Sequence, residues 1–361
     1  LNSAESFSSD YQQARAKFLD AARGAGAALE AILHPERGPD GGALATDVAW
    51  IGPPEAEAVL VLISATHGVE GFCGSGAQVD WLRREEWRAL PDGTAVLMVH
   101  AINPYGFAWL RRVTHENVDL NRNWVDFNSP RKTNPGYEAL AEVICPTEWT
   151  AEVQARTGEA LAAYAEQHGA MALQQALSGG QYNHPLGVFY GGDQPTWSRL
   201  TLTGVYEHYL RGADRVAIID YHTGLGPWGY GEQIIVDRPE AARFRRAAGW
   251  YGGAVTSPFP GGESTSAEIL GDGLSFAPSL LGQAEVTPMA LEFGTQPIMT
   301  VLNAVRADNW LHAHGDPLSP EGRAIKTEVR DAFFGDADDW KGMIAGQSLL
   351  ATRQALKGLK A

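Results

Sequence analysis

Cysteine is nearly absent from the chain: Cys73 and Cys145 are the only two in 361 residues. Two thiols make neither a disulfide framework nor a thiolate zinc site, and such sparing use fits a reducing compartment. Positive charge is also scarce, with 28 Lys and Arg against 43 Asp and Glu, a net of −15. A field of that sign repels phosphate, so nucleic acid and an anionic membrane surface are poor partners. No apolar run reaches the roughly 18–20 residues a membrane span needs. The opening "LNSAESFSSDYQQARAKF" is polar and then amphipathic, without the basic start and apolar centre of a signal peptide. The first residue is not Met, which leaves a removed leader open. The expected location is cytoplasmic; the oligomeric state is not readable.

What is present is a chain with 44% hydrophobic residues, enough to bury a large core. Residues 4–33 carry Phe18, Leu19, Ala22, Ala25, Leu29 and Ile32 at helical spacing, and "HPERGPDGG" (34–42) stops that pattern. Residues 48–52 and 58–64 read as strands, the second apolar without alternation, as expected where both sheet faces are covered. A helical pattern follows at 76–90, and a further buried strand at 94–104. Helix formers fill 138–178. Residues 204–224 read as helix, strand and loop, 233–237 and 286–295 as strands, and 298–361 as helices. The alternation predicts one α/β domain over 1–361, with a central mixed, mostly parallel sheet flanked by helices. Residues 1–44 would be a helical extension. The Gly-, Ser- and Pro-rich loop 252–285 is long enough to be functional or mobile, and it carries neither of the usual glycine-rich phosphate-binding motifs.

Three candidate strands deliver polar groups at their carboxyl ends: His67 and Glu70 in "ISATHGVEG", His222 in "DYHTG", and Glu292 in "LEFGT". Ligands of open α/β sheets gather at such ends. Two imidazoles and one carboxylate form a His₂Glu zinc set that leaves a coordination position open. A short spacer lets one turn supply two ligands, and a distant strand supplies the third. H-x-x-E alone recurs by chance, and an ordinary polar turn explains it equally. The helical H-E-x-x-H motif is absent. A second stretch, "NPYGFAWLRRVTHENVDLNRNWVDF" (103–127), sets Asn121 beside Arg122. A guanidinium with an amide neighbour suits a planar carboxylate; pairing of Arg122 with Asp119 or Asp126 is the plainer alternative.

In this order, "HGVEG", "NPYGF…R…NVDLNRN", "DYHTG" and "LEFGT" resemble the zinc carboxypeptidase superfamily over about residues 45–300. That superfamily also holds the aspartoacylase and succinylglutamate desuccinylase type deacylases. The chain looks closest to an uncharacterised bacterial branch of it. The resemblance implies one zinc ion held by His67, Glu70 and His222. It implies Glu292 as the general base that takes a proton from water, and Asn121 with Arg122 as the grip on a substrate carboxylate. Arg112 matches an arginine that polarises the scissile carbonyl, with adjacent Arg111 as the alternative. The implied substrate is a peptide or small molecule with a free carboxylate, cleaved at the neighbouring amide. A small N-acyl amino acid deacylase and a non-catalytic binding protein on the same scaffold are the competing readings.

The pattern departs from digestive carboxypeptidases at their mobile tyrosine, for which Tyr221, Tyr230 and Tyr251 are all candidates. Ser75 in "CGSG" is not a nucleophile elbow, since Cys73 takes the place of its first glycine. Cys73 reads as a packed thiol, and His100 as a core or supporting group. The stretch "GQYNHPLGVFYGG" (180–192) is a candidate pocket wall through Tyr182, His184 or Tyr190.

Overall fold

A computed structural model describes residues 2–360. Among these, seven strands form one sheet in the order β1-β2-β4-β3-β5-β7-β6. They are β1 (Ala28–Arg37), β2 (Ala43–Ile51), β3 (Ala58–Ile63), β4 (Thr94–His100), β5 (Arg215–Trp228), β6 (Gly231–Ile234) and β7 (Glu285–Gly294). The helices in chain order are α1 (Tyr11–Gly24), α2 (Gly71–Arg83), α3 (Pro104–Ala108), α4 (Pro135–Ile144), α5 (Ala151–His168) and α6 (Ala170–Ser178). They continue as α7 (Trp197–Tyr209), α8 (Ala242–Tyr251), α9 (Gly273–Leu280), α10 (Ile298–His314), α11 (Pro320–Phe333) and α12 (Asp338–Gly358). None of them is long and apolar enough to cross a membrane.

The sheet is mixed, as the α/β pattern predicts, with its parallel part confined to β4, β3, β5 and β7. β1, β2 and β6 join antiparallel at the two edges. The runs read as doubly covered strands are wholly buried, and alternate side chains serve different layers. On β3, Leu60 and Leu62 pack with Phe18 of α1, Phe72 of α2 and Trp340 of α12. Val59 and Val61 pack on the other side with Leu202 and Val205 of α7 and Ala277 of α9.

Four expectations are corrected. The helix expected over 4–33 ends at Gly24, and Leu29 and Ile32 lie on β1, which pairs with β2 from Ala28 opposite Trp50. Residues 1–44 are therefore not a helical extension, because their second half is an edge strand of the main sheet. The expected helix 76–90 starts earlier, at Gly71, and stops at Arg83. The long loop 252–285 contains α9, capped by Asp272, whose side chain accepts from Ser275 N at 2.8 Å.

β3 lies between β4 and β5, so the chain passes from it to β4 on one side and later returns to β5 on the other. Such a reversal opens a crevice at the carboxyl ends of the strands. His67 follows β3, while His222 and Glu292 sit opposite each other in the β5/β7 register.

Candidate metal centre

The turn after β3 is shaped by contact with the "NPYGF" stretch. A Cβ on Gly68 would lie 2.1 Å from the Gly106 carbonyl carbon, and one on Gly71 would meet the Phe107 ring at 2.6 Å. Only glycine permits that approach. Asn103 caps α3 by accepting from Gly106 N at 2.9 Å, with Pro104 in the first turn. Ala65 has φ +60°, a strained conformation for alanine that the surrounding packing must hold. The product is a short 3₁₀ turn, Gly68–Glu70, with His67 at its amino end and Glu70 leading directly into α2.

His67, Glu70 and His222 converge there, each at most 4% exposed. His67 Nδ1 lies 3.3 Å from His222 Nδ1 and 3.0 Å from Glu70 Oε1, and His222 Nδ1 lies 3.1 Å from Glu70 Oε2. A tetrahedral zinc ion with bonds of about 2.0–2.1 Å keeps its ligand atoms roughly 3.3 Å apart, so the spacing fits. The opposite ring nitrogens are backed by carboxylates. His67 Nε2 is 3.1 Å from Asp119 Oδ1, and His222 Nε2 is 2.9 Å from Asp220 Oδ2. That is the support a metal-binding imidazole requires, because it fixes the ring with Nδ1 aimed at the site.

Electrostatics agree with a cation-holding site. Burial opposes charge on Glu70, yet His67 and His222 outweigh it and hold its carboxyl well below the usual range. Burial likewise resists ionisation of Asp119, and Arg112, Arg122 and His67 overcome it. His222 is raised above the ordinary imidazole value: burial opposes this, but Asp220 and Glu70 prevail.

Four further predicted residues line the same cavity, whose volume is about 680 Å³. Glu292 is buried, and its Oε1 accepts from Leu225 N at 3.0 Å. Burial, and then the Glu70 charge, push its carboxyl up to about 8. Arg112 donates from Nε to Asp119 Oδ2 (3.0 Å) and from Nη1 to Glu70 Oε1 (3.1 Å). Arg122 is buried over the face of Phe189. Its Nε and Nη2 donate to the Ser178 carbonyl, an orphan acceptor at the end of α6, and Nη1 donates to Asn121 O at 3.0 Å. Of five N–H groups, one each on Nη1 and Nη2 remain for a ligand. Asn121 Oδ1 accepts from Gly273 N at 3.3 Å, which leaves its amide N–H groups unspent.

Arg111 turns away from this cavity, to Asp308 (Nε to Oδ2, 2.9 Å) and Asn117. Tyr221 is buried with its hydroxyl on Ser348, Tyr251 is buried, and Tyr230 is 47% exposed; none of them lines the cavity. Tyr182, His184 and Tyr190 do not line it either, and Phe189 walls it instead. The Tyr182 hydroxyl donates to Arg122 O at 2.7 Å, supporting the wall from behind. Cys73 is a packed thiol whose pKa burial drives up, and Ser75 Oγ pairs with His100 Nε2 at 2.9 Å inside the core.

Asp119 and Asp220 are the site residues that sequence reasoning missed. A signal for Asp220 was available: it stands two residues before His222, so a strand puts both side chains on one face. Asp119 lies in the quoted "NVDLNRN" stretch, but the imidazole it supports is 52 residues away, so no local pattern assigns it that role.

Over residues 7–347 the chain matches the family described as "Protein of unknown function (DUF2817)". No curated protein sequence matches it. Among solved structures it is similar to carboxypeptidase A from Helicoverpa armigera, with a TM-score of 0.49 and 10% identity over 98% of this chain and 75% of that one. It is also similar to a metallo-carboxypeptidase from Burkholderia cenocepacia (TM-score 0.42, 12% identity, 94% and 68% coverage). An aspartoacylase family protein from Mesorhizobium loti matches with a TM-score of 0.37 and 14% identity, over 80% of this chain and 66% of that one. At these identities and TM-scores the likenesses say nothing of what this chain does.

Proposed function

The chain belongs to this DUF2817 family, and from that premise we propose that it is a zinc-dependent hydrolase cleaving an amide bond beside a free carboxylate. The observation that carries this reading is the convergence, at one cavity, of a His₂Glu donor set, a buried glutamate and two arginines, one of them with N–H groups to spare. Zinc held by His67, Glu70 and His222 would supply Lewis acidity and bring the pKa of water down toward about 7.

The rest is work for side chains. Glu292 takes the proton from the attacking water and returns it to the departing amine, a role worth about 10²–10⁴-fold in rate. Arg112, anchored by Asp119, donates to the carbonyl oxygen as negative charge develops there. Arg122 and Asn121 hold the substrate carboxylate through the two remaining guanidinium N–H groups and the free amide. That grip contributes orientation rather than bond chemistry.

The test is turnover of short peptides and N-acyl amino acids by metal-loaded protein, beside the same substrates with the carboxylate amidated. Amidation should reduce kcat/KM far more in the native protein than in Arg122→Ala. Equal losses would make Arg122 structural, and no turnover of either class would defeat the reading.

A further inference from the structure

The cavity is much larger than the groups just described require. Its volume of about 680 Å³ lies within the roughly 300–1,000 Å³ that receives a drug-sized ligand. Charge is gathered around the metal centre and the Arg122 grip, and much of the remaining wall is hydrocarbon. Val301, Leu302 and Val305 of α10, Leu173 and Leu177 of α6, and Phe333 supply much of it.

The placement of this wall matters. A Cβ on Gly224 would lie 3.1 Å from the Phe333 ring and 3.5 Å from Val301 Cγ1. The α10 patch therefore touches β5 only two residues beyond His222. Arg122 is held from another quarter, by Ser178 at the end of α6. A substrate whose carboxylate meets Arg122 and whose amide lies at the metal centre would direct its acyl side along α10.

The apolar character continues to the mouth. Met171, Ile298 and Met299 line the cavity and are 70%, 52% and 43% exposed. Exposed apolar side chains that cluster at a cleft mark a surface meant to be covered. Among the described residues lining the cavity, Arg112, Arg122 and the two imidazoles are the only side chains able to carry positive charge. A second substrate carboxylate, as in a succinyl group, would find no further partner.

We infer that the acyl side of the substrate is a long, neutral, apolar group seated on α10 and on Met171 and Leu173, toward the end of α6 away from Ser178; this rests on the proposed hydrolase reading. The same chemistry is offered by a medium-length alkanoyl chain on an amino acid and by a bulky apolar side chain next to the terminal residue of a peptide. The class excluded is the acidic or very short acyl group.

Two measurements on the full chain test this. With zinc added, kcat/KM is compared for N-acetyl-, N-butanoyl-, N-hexanoyl- and N-decanoyl-L-leucine, and for N-acetyl-Gly-Leu against N-acetyl-Phe-Leu. Each added methylene should raise kcat/KM about three- to fourfold up to hexanoyl; a rise in the peptide pair alone would identify a peptide as the source. Separately, calorimetric titration of metal-free protein should show N-decanoyl-leucine binding at least tenfold tighter than N-acetyl-leucine. Met171→Glu with Met299→Glu, both at exposed positions, should remove that preference and leave N-acetyl-leucine unchanged. Decanoyl binding no tighter than acetyl, or a preference that survives both glutamates, overturns the inference whatever the turnover. An inert substrate series with the binding preference intact defeats the hydrolase reading and leaves the apolar subsite standing.

Discussion

Arg111 and Arg112 are neighbours in the chain and enter two different buried charge clusters. Arg112 joins His67, Glu70 and Asp119 at the cavity. Arg111 joins Asp308, Lys326 and His312 between α10 and α11. In the second cluster one carboxylate faces two basic side chains. Burial resists its ionisation, but Lys326 and Arg111 hold Asp308 down at about 2. Burial and Arg111 press Lys326 down to about 8, with Asp308 opposing. In the first cluster Glu70, Asp119 and Asp220 surround two imidazoles whose Nδ1 atoms turn toward each other. Burial of charge is therefore no mark of function. Convergent acceptors in excess of cations, opening on a cavity, are.

The largest separation between the two clusters should appear in turnover. Glu292→Gln should lower kcat by about 10²–10⁴-fold while metal analysis finds zinc retained; full activity would remove Glu292 from the chemistry. Arg111→Met should do the reverse. Breaking its buried pair with Asp308 should cost about 3–5 kcal/mol in denaturant unfolding and leave zinc affinity unchanged. A change in affinity would merge the two clusters into one.

Smaller effects concern the supporting carboxylates. Asp119→Asn and Asp220→Asn should each weaken zinc about 10- to 100-fold in competition with a chelator, and Asp119→Asn should also lose stability because it breaks a buried pair with Arg112. Unaltered affinity would make both aspartates mere core partners.

The smallest effect is set by pH. His100 is wholly buried against Phe18, with Nδ1 unpartnered, and burial, then Arg15, hold it down at about 3. The unfolded chain takes up a proton at this residue below about pH 6.5, whereas the native state does not until about 3. Stability is therefore undiminished above pH 6.5 and falls on acidification between these values, by about 1.4 kcal/mol per pH unit. Replacing it in His100→Asn should flatten that slope in denaturant unfolding at pH 7, 6 and 5. An unchanged slope would assign it to other histidines.

The legible parts of the molecule were those governed by local pattern. Continuous apolar runs announced β3, β4, β5 and β7, since a strand covered on both faces needs no polar side. The motif stretches announced His67, Glu70, His222 and Glu292 because strand ends at a switch point are where such groups meet. β1 was misread because Leu29 and Ile32 satisfy a helical interval, and most of its length is exposed. Its strand character comes from its pairing with β2, not from its own residues.

The chain's chemistry was thus settled residue by residue: which atoms can bind a cation, which can accept a proton, and which segments must be buried. Folding alone decided that Arg112 rather than Arg111 faces the cavity, that aspartates stand behind both imidazoles, and that hydrocarbon lines the rest. Those outcomes depend on contacts between residues such as Arg111 and Asp308, 197 positions apart, and periodicity carries no information over such separations.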